Sequence, residues 1–178
     1  MMAATYNITK AIYRNKPDMI LQAGVAGALH ENLPLVKTVA VRNEIVGDLG
    51  VLEGDVFQSI FHMGLVALND RPWENGKLPN NSEILQTAGL PIVDAVTVNE
   101  ISTDPNRIAY YREEVGADIE TMEGAALHFV ALQEKLPFLQ MRCVSNFVGE
   151  RNKNNWKLQA AIEKLNAEVL KFLQKFTT

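Results

Sequence analysis

The sequence predicts an α/β fold, a three-layer α/β/α sandwich around a central mixed, mostly parallel sheet. Three observations carry that reading. Apolar, β-prone runs alternate with stretches of helical spacing, the order that lays parallel strands beneath covering helices. The 178 residues, 47% hydrophobic and 21% charged, suit a domain with a sizeable core. No internal repeat or low-complexity tract breaks the pattern, so residues 1–178 read as a single domain.

The elements follow in order. Met1 to Arg14 has helical spacing of Met1, Met2, Ala4, Ile8, Ala11 and Ile12, ended by Pro17-Asp18. Met19 to Ala23 is a short buried strand leading to Gly24-Val25-Ala26-Gly27, a turn through which backbone can approach a ligand closely or that serves only as a tight turn. Val36 to Val46 is a second strand, with Arg42, Asn43 and Glu44 near its far end. Gly47, Gly50 and Gly54 mark turns. Ile60 to Leu68 fits either a strand or a short helix. Asn69 to Ser82, with two Pro, one Gly and four Asn, is a loop. Ile92 to Ile101 is a third strand. Asp104-Pro105 starts a helix, an N-cap followed by proline, that runs to about Val115 and stops at Gly116. Ala117 to Thr121 is a short strand. Asn155 to Phe176 is an amphipathic closing helix.

The chain is organised around Ile119 to Asn152. An acidic turn, Glu120-Thr121-Met122-Glu123-Gly124, opens it. A helix from Ala125 to Lys135 is stopped by Pro137. A β-prone run from Phe138 to Val144 then ends on Ser145-Asn146. In open α/β sheets, ligands sit outside the carboxyl ends of strands, so Glu123 and Asn146 are expected to meet at one pocket.

Bulk properties exclude several classes. A net charge of -4 and a pI near 5.4 do not fit a binder of nucleic-acid backbone, which carries a basic stripe. Cys143 is the single cysteine, so no internal disulfide forms and a reducing compartment is expected. No apolar run reaches the roughly 18 residues of a membrane helix, and the N-terminus lacks a secretory pattern. A cytoplasmic protein is expected. His30, His62 and His128 show no metal-ligand spacing, and no metal or cofactor is assigned. Cys143 reads as a core residue, and Arg42 and Arg151 as surface residues or contacts to a substrate carboxylate.

A carboxylate such as Glu123 has only acceptor oxygens and can hold two vicinal hydroxyls; alternatively it simply occupies the first turn of a helix, where the macrodipole favours acids. Met122 offers a polarisable surface to a sugar face. The Asn146 amide, with a donor and an acceptor side, matches a 6-oxopurine at N7 and O6. An Asp there would suit a 6-aminopurine. The plain alternative is an Asn capping its own turn.

These residues stand in the pattern I-E-T-M-E-G-A-A followed, after one helix and strand, by S-N. The pattern resembles the purine nucleoside phosphorylase and nucleosidase superfamily, and the Gly24-to-Gly27 turn looks like that family's glycine turn. The likeness runs over nearly the whole chain. TMEGAALHFVALQE, PFLQMRCVSN and VGERNK are similar to the futalosine hydrolase branch. The resemblance implies a nucleoside phosphorylase-like fold and hydrolysis of a 6-oxopurine nucleoside, futalosine, to hypoxanthine and dehypoxanthine futalosine in menaquinone biosynthesis. It implies that Asn146 is catalytic, contacting N7 and O6 of the departing base. Glu123 and Met122 would bind the ribose, Gly24 and Val25 would lie near the sugar and nucleophile, and Ile101 would line the base pocket. It also implies a homo-oligomer whose partner is a small purine nucleoside, not nucleic acid or a membrane.

Phosphorylases of this family often carry an Arg before the glycine turn and a Ser or Thr within it. Leu21 to Gly27 has neither, which favours water as nucleophile. Family members begin with a strand and loop, ahead of the first helix, that hold the water-activating Glu. The sequence reads as lacking that segment, and no residue of this chain is assigned as the base. The rival readings are a 5′-methylthioadenosine/S-adenosylhomocysteine nucleosidase, a purine nucleoside phosphorylase and a non-catalytic nucleoside-binding fragment.

Overall fold

The computed structural model describes residues 1–54 and 56–176. Helix α1 (Met2–Asn15) leads into strand β1 (Ile20–Ala28) and then β2 (Thr38–Val46). A hairpin, β3 (Gly50–Glu53) and β4 (Val56–Ser59), and a two-residue strand β5 (Leu78–Pro79) follow. Then come α2 (Glu83–Thr87), β6 (Ile92–Thr97), α3 (Pro105–Glu113), β7 (Ile119–Thr121), α4 (Gly124–Glu134), β8 (Phe138–Phe147) and α5 (Leu158–Leu173).

The ends of these elements have local causes. Lys16, in the left-handed region at φ 45°, terminates α1 by donating its N–H to the carbonyl of Ile12. Asp104 caps α3 by accepting from the N–H of Arg107, with Pro105 in the first turn. Lys135, also left-handed, ends α4 just before Pro137.

The main sheet has the order β5-β2-β6-β7-β1-β8, and β8 pairs again with β2. Five strands therefore close into a ring, with β5 appended to β2. The fold is α/β with a mixed sheet, as expected. The long pairings β1–β8 and β2–β6 run parallel, as does β6–β7, while the two- and three-residue pairings β1–β7, β2–β8 and β2–β5 run antiparallel. Small and β-branched residues fill the ring's centre, where little room exists: Ala26, Ala28, Val39, Val41, Ala95, Ile119 and Val144.

Strand β8 shows why its run is apolar almost throughout. Leu139, Met141 and Cys143 face one way, against Ala161, Leu165 and Phe172 of α5. Phe138 faces the other way, against Leu127 and Ala131 of α4. Both faces are covered, so the two-residue alternation carries no solvent side. Cys143 is buried in the α5 cluster, as its core reading required.

Three local expectations change. Ile60 to Leu68 forms turns rather than a strand or helix. The glycine-marked region holds the β3–β4 hairpin, whose strands are four residues each and lack a clear alternation. Gly24 lies inside β1, not in a turn after it.

Candidate functional site

The site is built where β1, β7 and β8 end together. Gly27 of β1 pairs with Glu120 of β7 on one side and with Asn146 of β8 on the other. The β1–β8 register shifts between Ala26 and Gly27, so Ser145 is the extra residue of a bulge. Its carbonyl accepts from the N–H of Lys157 at 2.8 Å, which ties the strand end to the start of α5.

The bulge fixes Asn146. Its Nδ2 donates to the carbonyl of Phe147 at 2.9 Å, and its Oδ1 accepts from the hydroxyl of Ser145 at 2.8 Å. Rotating the amide by half a turn would set Oδ1 against the Phe147 carbonyl, two acceptors face to face, so the orientation is determined. An amide has two donor hydrogens and two acceptor sites. Asn146 thus keeps one of each free, which is what N7–H and O6 of a 6-oxopurine require.

A cavity of about 250 Å³ lies at this junction, lined by Val25, Ile101, Met122, Glu123, Asn146 and Trp156 among others. It is smaller than the roughly 300–1,000 Å³ of sites for drug-sized ligands, a size suited to a base with the remainder of a ligand open to solvent. Five of the six residues selected from sequence come together here. Gly24 does not line the cavity. It pairs with Arg142 across β1–β8, and a side chain at position 24 would overlap the Arg142 guanidinium. A larger cavity, about 850 Å³, lies at the other end of β8 near Trp73, Asn80, Lys135 and Phe138. It contains none of the residues selected from sequence.

Arg42 is held by Asp94, with Nε and Nη2 each 3.0 Å from Oδ1, away from the cavity. Arg151 does line it. So does Glu120, whose Oε1 accepts from the N–H of Ser102 at 3.2 Å while Oε2 has no partner. Burial raises the pKa of Glu120.

Behind the cavity lies a buried polar network that sequence reasoning missed. Arg142 has 4% of its side chain exposed, sits 4.0 Å from the Glu123 carboxylate and donates to Oε1 of Gln22 at 2.7 Å. Burial lowers its pKa, and the charges of Glu44 and Glu123 oppose that effect. Glu44 is fully buried. It accepts from Gln140 Nε2 at 2.8 Å, Thr97 Oγ1 at 2.8 Å and Thr121 Oγ1 at 3.3 Å. Burial pushes its pKa up to about 7 against these hydrogen bonds. His128 of α4 is buried too, donating Nδ1–H to the carbonyl of Leu78 at 2.8 Å, and burial brings its pKa down to about 4. A signal was present: Gln140 and Arg142 alternate with Leu139, Met141 and Cys143, so both polar residues share one face of β8.

The profile of the phosphorylase superfamily matches residues 1–177. The chain belongs to that superfamily. Among its relatives is the futalosine hydrolase of Thermus thermophilus, 29% identical over 166 residues that make up 90% of this chain and 71% of that protein. The futalosine hydrolase of Streptomyces coelicolor is 26% identical, over 85% of this chain and 63% of its own length. Solved structures of the superfamily share the fold. A futalosine hydrolase of Helicobacter pylori superposes with a TM-score of 0.82 at 16% identity, covering 97% of this chain and 74% of that one. A 5′-methylthioadenosine/S-adenosylhomocysteine nucleosidase of Colwellia psychrerythraea in complex with adenine reaches 0.81 at 19% identity, covering 97% and 73%. Among the described residues no helix is long and apolar enough to cross a membrane.

Proposed function

We propose that the protein hydrolyses the N-glycosidic bond of a 6-oxopurine nucleoside, and that the nucleoside is futalosine, released as hypoxanthine and dehypoxanthine futalosine. The observation that carries this reading is Asn146, with one donor and one acceptor free, on the same cavity as Glu123 and Met122. The futalosine hydrolase relatives support the choice of substrate.

Breaking the bond places positive charge on the ribose and negative charge on the purine. Glu123, half exposed at 51%, holds the ribose hydroxyls and favours the cationic sugar. Asn146 accepts from a protonated N7 and donates to O6, stabilising the leaving base. Fixed dipoles aimed at developing charge are the largest contribution such sites make. As the C–N bond breaks, water adds to the anomeric carbon and loses one proton to a carboxylate, while the base takes up one proton from solvent at N7 and leaves as neutral hypoxanthine.

One observation favours a second reading. Arg142 supplies a cation beside Gly24, where a phosphorylase would hold phosphate. Its neighbours argue for water: the Glu123 carboxylate lies 4.0 Å from the guanidinium, and a phosphate dianion would meet that carboxylate. The 5′-methylthioadenosine reading is disfavoured because Asn146 presents a donor where an exocyclic amine needs an acceptor.

We read residues 1–178 as one domain with two outer helical layers. The support is that α1 and α4 gather against one face of β8 and α2 and α5 against the other. We also read the protein as a cytoplasmic homo-oligomer. Exposed Leu52, Val56, Met63, Leu65 and Leu68 in one segment support a self-association surface.

The test is to incubate the protein with futalosine, with and without phosphate, and to quantify hypoxanthine by chromatography. Release at equal rates in both is expected. Release that requires phosphate would make the protein a phosphorylase, and release of adenine from methylthioadenosine alone would overturn the base assignment.

A further inference from the structure

The first turn of α4 is held in an unusual way. Its N-cap residue is Glu123, whose side chain makes no capping hydrogen bond, which leaves that carboxylate available to a ligand. The orphan N–H groups that a helix start exposes are satisfied instead from other strands. The N–H of Ala125 donates to Thr97 Oγ1 at 2.9 Å, and that of Gly124 to Thr121 Oγ1 at 3.3 Å. A hydroxyl that accepts from a helix N–H must send its own proton elsewhere. Both lead to Glu44: Thr97 Oγ1 lies 2.8 Å from Glu44 Oε2, and Thr121 Oγ1, 3.3 Å from Glu44 Oε1 and 2.9 Å from Thr97 Oγ1, reaches the carboxylate directly or through Thr97.

The fit leaves no slack. A Cβ at Gly124 would overlap the Glu44 carboxylate and the Gln140 amide, so the helix start lies directly on Glu44. Gln140 Nε2 donates to the same carboxylate at 2.8 Å. The guanidinium of Arg142 lies 4.0 Å from the Glu123 carboxylate and is favoured by the Glu44 charge as well.

We propose that Glu44 is the positioning residue of the site: its buried carboxylate orients the Thr97 and Thr121 hydroxyls, these cap α4, and the capped helix and Arg142 set the Glu123 carboxylate against the ribose. Glu44 itself touches no ligand. The inference rests on the reading of Glu123 as the ribose contact.

Glu44→Gln is the informative change, because it keeps the shape and replaces one acceptor oxygen with a donor. The new NH2 faces Gln140 Nε2 or a threonine hydroxyl that already serves a helix N–H. Two measurements are made on the wild-type chain and on E44Q. Amide hydrogen exchange at Gly124 and Ala125 is expected to accelerate about tenfold or more. Calorimetric affinity for inosine is expected to fall about tenfold, while affinity for hypoxanthine, which lacks the ribose, stays within about twofold. Thr97→Val, which removes one cap and its hydrogen bond to the carboxylate but leaves Glu44 itself in place, is expected to reproduce part of both effects.

Unchanged exchange at Gly124 and Ala125 in E44Q would overturn the proposal even if no ligand bound. Faster exchange with unchanged inosine affinity would reduce Glu44 to a purely structural role and overturn it as well. Failure of the wild-type chain to bind hypoxanthine or inosine would instead refute the nucleosidase reading, with the exchange data still deciding whether Glu44 holds the helix.

Discussion

Glu44 and His128 titrate in opposite senses inside one network, which gives an expected pH signature. Burial raises the Glu44 pKa from an ordinary 4.5 to about 7. Between those values the unfolded chain has released a proton that the folded chain keeps. The stability linked to Glu44 is therefore full below 4.5 and is lost as pH rises through 7, a total of about 3 kcal/mol. His128 does the reverse. Its pKa falls from 6.5 to about 4, so the stability linked to it is full above 6.5 and is lost as pH falls through 4, again by about 3 kcal/mol. In the shared window the two slopes cancel, and the wild-type profile owes nothing net to either. Arg142, facing the pair from β8, stays charged throughout. Glu44→Gln leaves the histidine unopposed: relative to wild type, the variant should gain about 3 kcal/mol as pH rises from about 4.5 to about 7. His128→Asn should gain a similar amount relative to wild type as pH falls from about 6.5 to about 4. Urea unfolding at half-unit steps between about pH 4 and pH 8 measures both difference profiles. An E44Q profile parallel to wild type across that range would refute the assignment of Glu44 as a carboxyl whose pKa is raised by burial.

Further outcomes follow from single contacts. Gly124→Ala should destabilise by about 1–3 kcal/mol in urea unfolding, although alanine is the better helix former, because its Cβ meets the Glu44 carboxylate. Asn146→Asp should lose about tenfold or more in hypoxanthine affinity by calorimetry, and should gain little for adenine, because one of its oxygens must face the Phe147 carbonyl that now accepts from Nδ2. Asp104→Ala removes the cap on the Arg107 N–H and should cost about 1 kcal/mol in stability.

How much of this was legible in the sequence depended on whether the signal was local. Helix α4 and strand β8 were readable because Pro137 separates a helical run from a β-prone one. Asp104-Pro105 announced α3 in the same way. Glu123 and Asn146 could be placed at one pocket because each closes an element at the same edge of the sheet. The β3–β4 hairpin escaped because GVLE and VFQS are short, glycine-flanked and half exposed, so no alternation stands out. The β2–β8 pairing escaped for another reason. It joins Thr38 to Cys143 and Val39 to Arg142, residues about a hundred positions apart, and nothing local to either strand encodes the contact. The buried network depends on that pairing, since Glu44 lies on β2 and Gln140 and Arg142 lie on β8.

Ring closure also gives the glycine motif a different meaning. Read along the chain, Gly24 to Gly27 is an approach for a ligand. In the folded chain Gly24 sits in β1 directly beside Arg142, and its missing side chain is the space the guanidinium occupies. That guanidinium is nearly excluded from solvent, donates to Gln22 and lies 4.0 Å from the Glu123 carboxylate, so its charge acts to hold Glu123 in place. A buried cation already facing a protein carboxylate has less attraction left for a phosphate dianion, whereas it leaves room for a neutral nucleophile. The absence of a cation within the turn pointed to water from the sequence. The presence of Arg142 behind the turn leads to the same nucleophile by charge balance, and an assay run with and without phosphate tests both arguments at once.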